Sequence, residues 1–563
     1  MKGVLPQILL VVTSVERVLK QIDRDPLSPT FGCVHLAYWR DKTSDVADMR
    51  RQEIMFPLAL LYSRDYPGSE WKGNEGIRQA IEALLSFWCR NQYSDGSLDE
   101  WYKGERAFAA AAFSTHAVAR TIETMGDSLN KEFVDRAKEK LEKTAYWLVH
   151  HNDLFKTNHQ AVGVAALAWA GAVLKDNLFK QNAYKKLQSI IEVQTEEGWF
   201  PEIGHMDVGY TFLTVEFISM AMGLWDDWSK INTFQNAFEF ACEWVHPDLT
   251  IGEEYGVCHN TYLSLIAVIL MSRYSKRAAY LRRRVSEETL DLTRFSSYLT
   301  DDLRLLRWAY QPLLAYDYDR KTDYNSSMDE EPIPLQNPEC KTVVYDKAAI
   351  VRFVCRGYTG VFSAAAGGLL RLFGSDCGKY ISDYGYAVRV NNGYAANLVY
   401  NSNIRIFKEG DGAFGISCPI SPVKKFMPRF LERVALRLAC TTSIGSRVSR
   451  KLIDVARRKR GTSLNQASAN LGSSKSLWNI QRDILVRKDH LIVKDQIVFK
   501  RRIKTADLFF LESVDGEWMK LHPLSSKLST SFSKQLDHLE IIKIYRPKNN
   551  WRHVEISVNR VKV

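Results

Sequence analysis

Residues 159–174 read HQAVGVAALAWAGAVL and residues 211–225 read TFLTVEFISMAMGLW, two stretches that are apolar on nearly every helical face. A helix with no polar face is stable in water only where neighbours cover it all round, as in the inner layer of a two-layer helical ring. Working outward, IRQAIEALLSFWCRNQ (77–92), RAFAAAAFSTHAVARTIETM (106–125) and VDRAKEKLEKTAYWLVHH (134–151) repeat apolar residues at i, i+3, i+4 spacing, with short polar turns between them. Stacked helical hairpins closing into a toroid are the expected result. After about residue 340 the period falls to two, in KTVVYDKAAIVRFVC (341–355), YAVRVNNGYAANLVY (386–400), DHLIVKDQIVF (489–499) and LEIIKIYR (539–546).

The expected fold is therefore α+β multidomain. An incomplete α/α toroid over residues 1–315 is followed by a linker at 316–340, acidic and Pro-containing (DYDRKTDYNSSMDEEPIPLQNPEC). An antiparallel β-sandwich then spans 341–563 and carries a basic helical insertion at about 421–463.

Composition narrows the class. A chain of 563 residues exceeds the roughly 100 to 200 of one ordinary domain. With 46% hydrophobic and 25% charged residues it is globular, which excludes wholesale disorder, collagen-like chains and coiled-coil fibres. No apolar run approaches the roughly 20 residues of a bilayer span, so a soluble or peripheral protein is expected. Lys and Arg number 76 against 65 Asp and Glu, and the formal charge of +11 favours anionic partners. Nine cysteines without CxxC spacing argue against a disulfide scaffold and a structural zinc site, and fit a reducing compartment. The amino-terminal MKGVLPQILLVV resembles a short signal sequence, but Pro6 and Gln7 interrupt it and no A-x-A-like cleavage site follows. These features favour the cytoplasm or the periphery of an inner membrane, with the periplasm as the alternative.

The insertion holds two basic amphipathic patterns, KKFMPRFLERVALRLAC (424–440) and SRVSRKLIDVARRKRG (446–461), in which only Glu432 and Asp454 are acidic. A solvated surface insertion and a dock for an anionic membrane surface are the two readings. Nucleic acid is not expected, because aromatic interleaving and a nucleic-acid fold are both missing.

Ten of the fourteen tryptophans lie before about residue 290, where core packing accounts for most. Trp101 and Trp199 differ, each in a Gly-containing loop (DGSLDEW, EEGWFPE) suited to stacking a sugar. Polar clusters recur just ahead of apolar helices: Asp95, Asp99, Glu100, Glu105 and Arg106; Asn158 and His159; Glu202, His205, Asp207 and Tyr210. Singly each has a plain account, Asn158 as an N-cap and His159 as a satisfied core histidine. Their recurrence at helix starts, where a toroid opens its cavity, points to a functional rim.

NHQAVGVAALAWAG (158–171), followed by EEGWFPEIGHMDVGYTFLTV (196–215), resembles the heparinase II/III-like polysaccharide lyases, a group that includes oligo-alginate lyases. The resemblance implies the same toroid-then-sandwich order and β-elimination of a uronic-acid-containing glycan. It implies that Asn158 or His159 neutralises the substrate carboxylate and that Tyr210 transfers protons, with Arg106, His159 or His205 favouring its phenolate. It requires no cofactor and no catalytic metal. Glu105, Arg106, Trp101, Glu202, His205, Trp199, Tyr255 and His259 are the candidate substrate-binding residues, and an anionic polysaccharide is the expected partner.

The pattern departs from the family in one place. No His lies between His259 and His490, where the family contributes another from its β domain. Cys377, Lys379, Tyr380, Asp383 or Tyr384 substitutes, or His259 does, or the activity differs. The competing readings are a uronyl C5-epimerase, an inverting glycoside hydrolase using Asp99 or Glu100 with Glu202 or Asp207, and a non-catalytic glycan-binding or assembly protein.

Overall fold

The computed structural model describes residues 5–258, 260–287, 299, 301–321, 329–337, 339–374, 380–390, 393–398, 401, 404–410, 412–423, 430–460, 478–504, 507–514, 519–523, 535–547 and 554–559. The helical half runs α1 (Leu5–Leu19), α2 (Met55–Ser63), α3 (Glu75–Arg90), α4 (Phe108–Met125), α5 (Lys131–His150), α6 (Thr157–Leu174) and α7 (Asn177–Glu192). It continues through α8 (Val208–Trp225), α9 (Ile231–Cys242), α10 (Leu265–Met271), α11 (Lys276–Glu287), α12 (Asp302–Trp308) and α13 (Tyr310–Lys321).

Helices α2, α4, α6, α8 and α10 each pack on the next, and α13 packs on both α10 and α2, closing six inner helices into a ring. Helices α3, α5, α7, α9 and α11 lie outside, each against an inner partner. The two layers follow from their patterns. In α5 only one stripe is buried, including Val134, Ala137, Leu141, Ala145 and Leu148. The inner helix α6 is instead buried from Thr157 to Gly171 apart from His159, and α8 from Val208 to Met222 apart from Tyr210. By length and composition α8 is the one described helix apolar enough to cross a membrane, and here it is enclosed by the ring.

Polar ties close the ring. Arg64, just past α2, pairs with Asp317 of α13, and the Tyr66 hydroxyl donates to the same carboxylate at 2.6 Å. Inside, the buried Glu216 of α8 accepts from Tyr262 Oη, Ser264 Oγ and Tyr310 Oη, each at 2.6 Å, and from Gln311 Nε2 at 2.7 Å. Burial raises its carboxyl despite these four donors, which anchor α8 to the starts of α10 and α13.

The second half begins with an antiparallel meander of β1 (Lys341–Tyr345), β2 (Ile350–Cys355), β3 (Tyr358–Ser363), β4 (Leu369–Gly374) and β5 (Tyr380–Val390). It goes on with β6 (Gly393–Ala396), β7 (Ile406–Gly410), β8 (Ala413–Pro422), β9 (Trp478–Val486) and β10 (Leu491–Lys504). The last strands are β11 (Leu508–Val514), β12 (Lys520–Pro523), β13 (Gln535–Tyr545) and β14 (Val554–Asn559). Strand β5 also pairs with β6 and β11, and β8-β9-β10-β13-β14 form the other layer, joined to the first through the short β6–β8 pairing. The layers enclose one core, with Phe353, Phe362 and Tyr386 from the first and Phe414, Ile480 and Ile541 from the second. The first layer is buried on both faces: along β2, Ile350 joins the helical core while Val351 and Phe353 join the sandwich core.

Two expectations are corrected. Helix α13 runs to Lys321, so residues 316–321 belong to the ring rather than to a linker, and Ile333 and Leu335 farther on are buried. Asp383, offered as a stand-in for a missing site histidine, lies inside the sandwich. It accepts Arg482 Nη2 at 3.2 Å, Lys543 Nζ at 2.8 Å and Tyr545 Oη at 2.8 Å. Asp495 completes the cluster, accepting Arg482 Nε at 2.7 Å and Tyr386 Oη at 2.8 Å. Burial works to raise the Asp383 carboxyl, but Arg482 and Lys543 hold it well below its ordinary value. Cys377 and Lys379 lie outside the described residues.

Removing one member of such a cluster leaves buried charge unanswered. Arg482→Ala is expected to lower the unfolding free energy by about 3–5 kcal/mol, read by urea denaturation.

Candidate active site

Each outer helix carries the chain back, so the inner helices run parallel and their N-termini share one end of the ring. The unsatisfied N–H groups and positive dipole ends of those helices gather there. Asp207 caps α8, accepting the Tyr210 N–H at 3.0 Å on Oδ1 and the Cys258 N–H at 2.9 Å on Oδ2. Gly256 makes this approach possible, since a Cβ there would stand 2.4 Å from Asp207 Oδ2. Burial pushes the Asp207 carboxyl up to about 7 against the pull of those backbone donors.

Helix α6 is capped from a distance. Its N-cap residue is Lys156, which gives no side-chain cap, and Asn158 lies within the first turn instead of at the N-cap. Glu202, from the loop before α8, accepts the Asn158 N–H on Oε1 and the Asn158 Nδ2–H on Oε2, both at 2.7 Å. A tight turn presents Glu202: Ile203 has φ +53° and Gly204 φ +85°, with the Ile203 N–H donating to Phe155 O at 2.6 Å. A β-branched residue in that region is strained and is held by its surroundings. Burial raises the Glu202 carboxyl well above its ordinary value, opposed by Asn158 and Lys156.

The two gaps in the burial of α6 and α8 fall at the third residue of each, His159 and Tyr210. His159 Nδ1 lies 2.7 Å from Asp153 Oδ2. A carboxylate only accepts, so the tautomer is assigned with the proton on Nδ1 and the lone pair on Nε2. Burial lowers the His159 pKa despite Asp153, leaving a neutral imidazole at pH 7. Burial acts to raise Asp153, but the His159 hydrogen bond and Lys156 keep it below its ordinary value. Tyr210 is raised, first by burial and then by Cys258, Asp207 and Glu202, with Arg50 opposing, so the phenol keeps its proton.

Arg50, in the turn Met49–Ile54 before α2, is within electrostatic range of both His159 and Tyr210. Its guanidinium lies 3.6 Å from the centroid of the Phe113 ring, and Phe113 meets His159 edge to face at 6.0 Å. Nε donates to Glu53 at 2.7 Å, while the buried Nη2 has no hydrogen-bond partner. Behind it, Glu100 accepts from Arg307 Nη2 at 3.1 Å, and Arg307 also donates to Asp48 at 2.8 Å. Sequence reading missed Arg50, Asp153 and Lys156. The signal for Arg50 was present, because ADMRRQEI is another polar run immediately ahead of an apolar helix.

Other candidates stand elsewhere. Arg106 is paired with Asp95 and lies over the Tyr93 ring at 4.8 Å. Glu105 accepts the Trp101 N–H at 2.6 Å and so shapes its own loop. Trp101 is 69% exposed. Trp199 is corrected from an open sugar platform to a buried ring: Nε1 donates to Glu197, whose carboxylate also accepts the Lys347 and Ala348 N–H groups of the sandwich at 2.8 and 2.9 Å. His205 is buried against Trp199, at 5.7 Å between ring centroids, and hydrogen-bonds the Lys347 backbone. Tyr255 is sealed in the core, its hydroxyl 3.0 Å from His246 Nε2. Tyr384 donates to Glu254 at 3.0 Å. His259 lies outside the described residues. Among the described residues no group of three or more His, Cys, Asp or Glu side chains is placed to hold a metal ion.

No protein-family profile and no curated protein matches the sequence. Solved structures do resemble it. The chondroitin AC lyase of Streptomyces coelicolor A3, in complex with chondroitin sulphate, aligns over 98% of this chain and 76% of its own at 8% identity and a TM-score of 0.55. A mutant of that lyase aligns over 90% and 68% at 9% identity and a TM-score of 0.53. Heparinase III covers 96% and 84% at 10% identity, with a TM-score of only 0.45. At these identities the first two likenesses show a shared fold, a helical toroid followed by a β domain, and nothing finer.

The Asn158–Glu202 contact joins the starts of two inner helices. Glu202→Ala, which orphans two buried donors, is expected to destabilise the protein by about 1–3 kcal/mol for each donor left without water. Chemical denaturation measures it.

Proposed function

We infer that this protein is a glycan-acting enzyme, a polysaccharide lyase that breaks a uronic-acid-containing chain by β-elimination. One observation carries the reading. His159 and Tyr210 interrupt two otherwise buried inner helices at equivalent positions, with the Arg50 guanidinium in range of both. The fold shared with a lyase solved on chondroitin sulphate, an acidic glycan, supports it.

In this reading the uronate carboxylate lies within the field of the Arg50 guanidinium, at the positive ends of the inner helices. His159 Nε2 takes the C5 proton. The electron pair of that C–H bond becomes the C4=C5 double bond as the C4–O bond breaks, and Tyr210 gives its phenolic proton to the departing oxygen. His159 then releases a proton and Tyr210 regains one, so the cycle consumes neither water nor protons. Charge develops on the carboxylate as the proton leaves, so a fixed donor there acts mainly on the transition state; losing one such donor costs about 3 to 4 kcal/mol.

Each residue's environment suits its part. A half-buried imidazole oriented by Asp153 is a neutral base at pH 7, and a half-buried phenol is an acid that stays loaded. Asn158 is a positioning residue in this reading: it is buried, and Glu202 holds both its backbone N–H and one of its two amide N–H groups. The carboxylates needed by a hydrolase are committed: Asp99 accepts the Gly104 and Arg106 N–H groups, Glu100 accepts from Arg307, Asp207 caps α8, and Glu202 holds Asn158.

With a panel of uronate polysaccharides, the ultraviolet absorbance of a 4,5-unsaturated uronide is the expected signal. Tyr210→Phe and His159→Gln should each reduce kcat by about 100- to 10,000-fold with glycan binding retained. Solvent deuterium entering C5 without new absorbance would replace the lyase by an epimerase; no change on any uronate sinks both.

The pH profile is a separate check. His159 must be neutral and its pKa is lowered, while Tyr210 must be protonated and its pKa is raised. The profile of kcat/KM should therefore be level from below about 6.5 to above about 10, the ordinary imidazole and phenol values. An acid limb beginning above about 6.5 contradicts His159 as base.

A further inference from the structure

Between β8 and β9 the chain forms two helices, α14 (Phe430–Ala439) and α15 (Ser443–Arg460). Their amphipathic character is inverted with respect to the protein. The face of α15 turned inward is small and polar, with Ser446 and Ser449 buried. Ser446 Oγ donates to Lys103 O at 3.3 Å, and a Cβ on Gly104 would stand 2.4 Å from Ser446 Cβ, so the helix lies directly on the toroid loop that carries Trp101. Arg437 of α14 adds a 2.6 Å ion pair with Asp45.

The apolar face points to solvent. On α15, Ile444, Val448, Leu452 and Val455 form one stripe at i, i+4, i+8 and i+11, and Val455, the least exposed of them, is still 48% exposed. On α14, Phe430, Leu431 and Leu438 are exposed as well. A helix facing only water would turn this stripe inward. Cations accompany it. Residues 430–460 hold nine Lys and Arg against two acidic residues, among them the described Arg433, Arg447, Arg450 and Lys451.

We propose that the α14–α15 hairpin is an interfacial anchor that lays its apolar stripe on an anionic bilayer surface. An apolar stripe joined to a cluster of cations is the pattern of a helix lying in a headgroup layer, where chains take the apolar side chains and anionic headgroups take the charges. A nucleic acid would answer the charges and leave the stripe in water. A second copy would cover the stripe and bring like charges together. The ring end nearest the hairpin, through the Lys103–Gly104 loop, is thereby held at the membrane.

Flotation of the full-length protein with lipid vesicles tests this. Binding to vesicles of mixed phosphatidylcholine and phosphatidylglycerol should exceed binding to pure phosphatidylcholine by about tenfold or more, and should fall as salt rises from about 0.15 M to about 1 M. The doubly substituted Ile444→Ser, Leu452→Ser chain keeps every charge and should lose about tenfold in binding, with thermal unfolding unchanged because both residues are exposed. Equal binding to both vesicle types, or undiminished binding by the serine variant, overturns the proposal. So does self-association that the serine variant abolishes in a chain that ignores vesicles, which would give the stripe to a second copy. Should the serine variant fold poorly, the lipid and salt comparisons on the unaltered chain decide alone.

Discussion

A helix covered on all sides can offer chemistry only from its ends, and this constraint organises the protein. Helices α6 and α8 are sheathed in hydrocarbon along their length, so their polar groups collect in the first turn, where free N–H groups must be answered. The answers come from other segments: Glu202 reaches the start of α6, and Asp207 binds both α8 and the strap at Cys258. Closing the ring brings these starts together at one end. The candidate site is therefore a by-product of satisfying buried helix termini, with His159 and Tyr210 at the points where the sheath is broken.

The two buried charge systems differ in how completely they are answered. In the sandwich, Arg482 and Lys543 face Asp383 and Asp495, two charges of each sign, with the hydroxyls of Tyr386 and Tyr545 filling remaining positions. Such a cluster is internally complete and has nothing left to bind. At the ring mouth, Arg50 is held by Glu53 and stacked on Phe113, yet keeps a buried nitrogen without an acceptor. An open donor of that kind has a reason to persist where an anion is to be received.

Much of this was legible in the sequence. The lack of a polar face marks 159–174 and 211–225 as inner helices, which are buried through Gly171 and Met222 apart from His159, and the shift to period two after residue 340 marks the sandwich. The boundary was less clear, because DYDRK has a linker's composition while serving as the last turn of α13. Within the site, Asn158, His159, Glu202 and Tyr210 could be singled out as polar residues next to apolar runs. Asp153 and Lys156 could not, since a lone charge beside a helix start reads as solvated until the ring brings distant segments over it, whereas Arg50 was marked by the polar run ADMRRQEI ahead of α2. Trp199 and His205 misled for the converse reason: an aromatic beside glycine looks exposed, and only the arrival of Lys347 covers it.

The segment between α7 and α8 is attached at both of its working points. Its Glu197 grips the first turn of the sandwich through two backbone N–H groups, and a few residues on, Glu202 grips the start of α6. Between them the chain is stiffened by the enclosed Trp199 ring and the strained turn at Ile203. A rocking of the sandwich against the toroid has no slack to absorb it along this path. The segment thus ties the seating of the sandwich to the placement of Glu202 beneath the start of α6.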